Sequence, residues 1–105
     1  MKDKTIMLVC SAGMSTSLLV TKMQEAATNK GYEVEIFATS SSKADTKIEN
    51  SKIDVLLLGP QVRFMKEQFE KKLADKRIPV SVINMQDYGM MNGEKVLEQA
   101  ESLIN

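Results

Sequence analysis

Two short stretches of the chain are apolar without interruption: TIMLV, Thr5 to Val9, and IDVLLL, Ile53 to Leu58, broken only by Asp54 near its start. Continuous runs of this length mark strands covered on both faces, so both are expected at the centre of a sheet. YEVEIFA, Tyr32 to Ala38, alternates instead. Val34 and Ile36 share one face and the glutamates take the other, the pattern of an edge strand. A last strand is expected at Val80 to Ile83, after Pro79.

Between these runs the apolar positions recur at helical spacing. Leu19, Met23, Ala26 and Ala27 predict a helix from Thr16, ended by Asn29-Lys30-Gly31 with glycine in its usual place after a helix. Gly59-Pro60 stops the second apolar run and opens another helix, with Val62, Met65, Phe69 and Leu73 inward and Lys66, Glu67, Glu70, Lys71 and Lys72 in solvent. Val96, Leu97, Ala100, Leu103 and Ile104 mark a closing helix over 94–104. The polar stretch 39–52, with Ala44 and Ile48 as its apolar positions, predicts a short helix. NMQDYGMMNG, 84–93, reads as a loop.

Strand then helix, four times over, predicts an α/β three-layer sandwich. Its four-stranded parallel sheet is flanked by helices through right-handed crossovers. With the alternating strand at an edge, the order is 2-1-3-4, and the order reverses between strands one and three. Ligands of open sheets sit there, beyond the carboxyl ends of the strands. Cys10 ends the first strand and Gly59-Pro60-Gln61 ends the third, so both are expected at that crevice.

A length of 105 residues suits one domain, 1–105, with room for a real core. Fourteen basic residues balance 14 acidic ones, which speaks against a nucleic-acid binder. No apolar run has the length of a membrane span or a signal peptide, so no direct membrane insertion is expected. Cys10 is the only cysteine, which forbids an internal disulfide and points to a reducing cytoplasm. The chain has no histidine, which removes the serine triad, cysteine–histidine proteolysis and most transition-metal sites from its own resources. No cofactor is implied, and carboxylates such as Asp54 and Asp87 are too scattered to suggest a metal.

The chemistry therefore centres on CSAGMSTS, Cys10 to Ser17. A turn from a strand into a helix aims backbone N–H groups at one spot, and Gly13 with its small neighbours lets them form an anion-binding nest. The helix N-terminus adds about half a positive charge. Ser11, Ser15, Thr16 and Ser17 add hydroxyls, and Ala12 and Met14 complete the cradle. Such surroundings favour a thiolate over a thiol, so Cys10 reads as a nucleophile at the mouth of an anion cradle. The plainer readings are a small buried cysteine and serines that merely cap a helix.

Neighbouring motifs do not fit. There is no Gly-Lys-Ser/Thr of a Walker A loop and no spaced glycines of a dinucleotide fingerprint. The strand–loop–helix is similar to the cysteine loop of the low-molecular-weight tyrosine phosphatases, but Thr16 stands where their arginine would be, and a hydrolytic transition state loses its bidentate clamp. Thiol-based arsenate reduction would need a second cysteine.

CSAGMSTSLLV closely resembles the phosphorylation loop of the enzyme IIB components of the sugar phosphotransferase system, lactose/cellobiose class. LLLGPQ at 56–61 and YG-x-x-x-G at 88–93 are similar to that family too. The resemblance implies a phosphocarrier. Cys10 would take a phosphoryl group from a phosphohistidine on the IIA partner and pass it to a sugar held by the IIC permease. Ser11 to Ser17 would form the cradle, and the sugar would be a β-linked disaccharide of the cellobiose or chitobiose type. Contact with the permease would bring a cytoplasmic protein, monomeric by default, transiently to the membrane. Met14, Met90, Met91, Gln61 and Tyr88 are open between partner contact and packing. A cysteine-dependent phosphatase and a non-catalytic anion-binding module are the alternatives.

Overall fold

A computed structural model describes residues 2–10 and 13–104, with side chains for 3–10 and 16–104. The chain runs β1 (Lys2–Cys10), α1 (Gly13–Asn29), β2 (Glu33–Ser40), α2 (Ala44–Asn50) and β3 (Val55–Leu58). A 3₁₀ turn (Pro60–Met65) leads into α3 (Lys66–Leu73), followed by β4 (Val80–Val82), α4 (Met85–Gly89) and α5 (Gly93–Ile104). The four strands form one parallel sheet in the order β2-β1-β3-β4, the order the sequence predicts.

The two continuous apolar runs are the two central strands. Ile6 and Leu8 of β1, with Val55 and Leu57 of β3, face α1 and α5, where Leu19, Met23, Ala27, Val96, Leu97 and Ala100 complete one core. Met7 and Val9, with Leu56 and Leu58, face α2 and α3 and meet Ala44, Ile48, Val62, Phe69 and Leu73 in a second. Alternate residues thus feed opposite cores, which is why neither strand can spare a polar position. Each fully buried leucine contributes about 1.5–3 kcal/mol, so these strands are the rigid part of the fold. β2 is an edge, with Ile36 buried and Glu33 and Glu35 exposed.

The strands are held at both ends. At the amino end, Thr5 N–H donates to Asp54 Oδ2 at 2.8 Å and Asp54 N–H donates to the Thr5 carbonyl at 2.9 Å. At the carboxyl end, Gly59 N–H donates to the Val9 carbonyl at 2.8 Å and Ser41 N–H to the Cys10 carbonyl at 3.0 Å. Gly31, at φ +73°, occupies the left-handed region that ends α1, and Tyr32 N–H closes back on the Ala27 carbonyl at 2.9 Å.

Three elements differ from expectation. α1 begins at Gly13 rather than Thr16, because the apolar spacing that betrays a helix starts only inside it. The helix after Gly59 begins as a 3₁₀ turn, with Val62 off helical geometry (φ −117°, ψ 24°) before α3. The segment 84–93 is not all loop. Asn84 Oδ1 accepts from Gln86 N–H (3.0 Å) and Asp87 N–H (3.1 Å), nucleating α4, and Asn92 Oδ1 accepts from Lys95 N–H (3.1 Å) to start α5.

Candidate functional site

The carboxyl ends of the strands bring the expected residues together. Cys10 is the last residue of β1, paired in register with Ser40 of β2, and Gly59 follows the last residue of β3. α1 starts three positions after Cys10, so the backbone N–H groups of its first turn, which have no intrahelical partner, begin beside the cysteine. This is the order-reversal point between β1 and β3.

The cradle residues divide. Ser11 and Ala12 lie outside the described residues. Gly13, Met14 and Ser15 belong to the first turn of α1, and their side chains lie outside the description. Thr16 is buried, with Oγ1 3.4 Å from the Tyr88 hydroxyl. Ser17 is exposed and shares a cleft with Ala38, Thr39, Ser40, Lys43 and Lys47.

Cys10 itself does not stand at an open mouth. It is 1% exposed, and its Sγ lies 3.9 Å from the Thr39 carbonyl oxygen of β2. The sulfur is turned toward β2, the neighbouring strand.

Tyr88 and Gln61, open in the sequence, have defined places. Tyr88, from α4, is 8% exposed and packs into the first core. Gln61 Nε2 donates to its hydroxyl at 3.4 Å. A Cβ on Gly59 would sit 3.0 Å from Gln61 Oε1 and 3.7 Å from Cys10 Cβ, so the glutamine amide and the cysteine converge over that glycine. Met91 packs against the core while Met90 is exposed, and the Met14 side chain lies outside the description.

The sequence reading missed an apolar patch beside this end of the sheet. Phe64 (79% exposed) and Met85 (61% exposed) line a groove with Pro60, Arg63, Tyr88 and Gly89. The signal was present: Phe64 falls off the Val62–Met65–Phe69 stripe, where a solvated face calls for a polar residue. Neither this groove nor the Ser17 cleft is lined by a carboxylate, while Lys43, Lys47 and Arg63 border them. Among the described residues, no three His, Cys, Asp or Glu side chains gather as a metal site, and no helix is long and apolar enough to cross a membrane.

Comparison with known proteins identifies the family. Residues 5–99 match the family described as PTS system, Lactose/Cellobiose specific IIB subunit. The chain is 56% identical, over its whole length and that of the relative, to the cellobiose-specific EIIB component of Lactococcus lactis subsp. lactis. The galactose-specific EIIB component of Lactococcus lactis subsp. cremoris matches equally, at 56% over all of both chains. The oligo-beta-mannoside-specific EIIB component of Bacillus subtilis is 50% identical over 96% of each chain.

Among solved structures, the cellobiose-specific IIB component from Borrelia burgdorferi superposes with a TM-score of 0.78 at 41% identity, covering 100% of this chain and 94% of that one. The lactose-specific IIB domain from Streptococcus pneumoniae superposes at 0.81 with 15% identity, covering 97% and 98%, and so shares the fold. The chain belongs to the lactose/cellobiose-specific IIB subunit family of the sugar phosphotransferase system.

Proposed function

We propose that this chain is a phosphocarrier in which Cys10 accepts a phosphoryl group from a phosphohistidine of a IIA partner and hands it to a sugar in a IIC permease. One observation carries the reading: the only cysteine of the chain ends β1 and abuts the start of α1 at the order-reversal point of the sheet. In the first step the Cys10 thiolate attacks phosphorus. The S–P bond forms as the N–P bond breaks, and the electron pair returns to the imidazole, with the thiol proton released to it or to water. In the second step a sugar hydroxyl oxygen attacks phosphorus, the O–P bond forms as the S–P bond breaks, the electron pair returns to sulfur, and the hydroxyl proton passes to the thiolate or to water.

The groups present suit holding the cargo more than hydrolysing it. Backbone N–H groups at a helix start stabilise a phosphoryl dianion, with Ser11 to Ser17 as the cradle. Thr16, in place of an arginine, supplies no clamp for a water-driven reaction. Transfer then depends on positioning and electrostatics. The donor histidine has to come from another protein, because this chain has none.

Phe64 and Met85 offer an exposed apolar groove, next to Pro60 at the carboxyl end of β3, on which two successive partners can dock. The relatives named for cellobiose and oligo-β-mannosides support a β-linked disaccharide as the cargo's destination. The chain acts as one domain, 1–105, and as a monomer, on the cytoplasmic side of the permease.

The test is incubation with phosphoenolpyruvate, the general phosphotransferase proteins and a matched IIA, followed by intact mass. One added phosphoryl group is expected, absent in Cys10→Ser. No adduct in the presence of active IIA overturns the reading, and steady phosphate release from an aryl phosphate would favour the phosphatase alternative.

A further inference from the structure

We propose that Tyr88, braced by Gln61, is a positioning residue for phosphoryl transfer at Cys10. The proposal rests on the phosphocarrier reading. The residues come from separate parts of the chain: Thr16 from α1, Gln61 from the 3₁₀ turn after β3, Tyr88 from α4. Two contacts of 3.4 Å join them through the Tyr88 hydroxyl. Gln61 Oε1 in turn lies against Gly59, on the side where Cys10 Cβ also approaches. An arc therefore runs from the cysteine, over Gly59, through Gln61 and Tyr88, to the first turns of α1.

The hydrogen-bond directions make the arc more than packing. The Gln61 amide nitrogen can only donate, so the Tyr88 oxygen accepts from it. In the contact between Tyr88 and Thr16 either hydroxyl can be the donor; in the arrangement where Tyr88 donates, the threonine keeps its own proton for another oxygen. Thr16 stands at the position where the similar phosphatase loop carries its phosphate-binding arginine. Held by Tyr88, the buried Thr16 ties the first turn of α1, whose N–H groups would receive the phosphoryl group, to α4.

The experiment measures single-turnover phosphoryl uptake from phosphorylated IIA for the full chain, with donor concentration varied. Tyr88→Phe keeps the ring and removes the hydroxyl. The expected result is a fall of roughly three- to tenfold in the rate at saturating donor, with the half-saturating concentration unchanged. Thr16→Val should produce a similar fall, and the double variant should be no slower than the slower single, because both act through one contact. Gln61→Leu, at an exposed position, gives a smaller fall of the same kind.

Asp54→Ala, which weakens the far end of the sheet, serves as the control for stability alone and should leave the rate unchanged. Wild-type rates in Tyr88→Phe, additive losses, or an equal loss in Asp54→Ala would overturn the positioning role. A change confined to half-saturation would make Tyr88 a docking contact instead and overturn it too. If the unaltered chain takes up no phosphoryl group at all, the phosphocarrier reading falls, and this one with it.

Discussion

Cys10 Sγ lies 3.9 Å from the carbonyl oxygen of Thr39, so the single thiol of the chain is directed across to the edge strand. With 1% exposure, a small reagent meets it only through local opening. Iodoacetamide should therefore label the native chain at least roughly tenfold more slowly than the urea-unfolded chain. Time-resolved intact mass measures both rates, and equal rates would mean that the thiol is open in solution.

Gly93 begins α5 where that helix crosses α1. A Cβ there would land on the backbone of Lys22 and Met23, which cannot swing aside as a side chain can. Gly93→Ala should force the two helices apart and cost about 1–3 kcal/mol, as overpacking of a tight core does. Urea unfolding followed by circular dichroism reads the change, and an unaltered midpoint would show that the helices move apart freely.

Tyr32 donates to Glu101 Oε2 at 2.7 Å, tying the approach to β2 to the end of α5. That hydrogen bond, then partial desolvation, then the charges of Glu101 and Glu98 hold the tyrosine's ionisation above its ordinary value of 10.0. The protonated phenol is thus favoured in the folded state. Its contribution to stability is fully present below the unfolded pKa and is lost as pH rises through the higher folded one. A spectrophotometric titration should show one tyrosine ionising late, and Glu101→Gln should bring it back toward the ordinary range. No difference between the two titrations would refute the pairing.

Asp54 and Thr5 exchange two hydrogen bonds at the amino ends of the central strands, away from Cys10. Asp54→Ala should cost about 1.5–3 kcal/mol, the range for a bond to a charged acceptor. Phosphoryl uptake by the folded chain should not change. Calorimetry and the intact-mass assay separate the two quantities.

The layout of the sheet was legible because its signals are one-dimensional. Unbroken apolar runs such as Leu56 to Leu58 have only one explanation in a small α/β chain, and the glutamates of β2 mark an edge. α4 was missed because its helix is only five residues long and carries no apolar period. The capping oxygen of Asn84 was its one local signal. The site was legible in its position but not in its contacts. The spacing of Cys10 and Gly59 locates a crevice, yet the meeting of Thr16 with Tyr88 spans 72 positions and depends on how α4 packs. The glycine that closes the YG-x-x-x-G motif has a structural explanation the sequence could not supply, the contact of α5 with α1.

The two rims of the sheet carry a last consequence. β4 offers only three residues after Pro79, and β2 presents the exposed carboxylates of Glu33 and Glu35. A neighbouring copy trying to add its own strand would find too short a ladder on one side and like charges on the other. That arrangement opposes filament growth by strand addition.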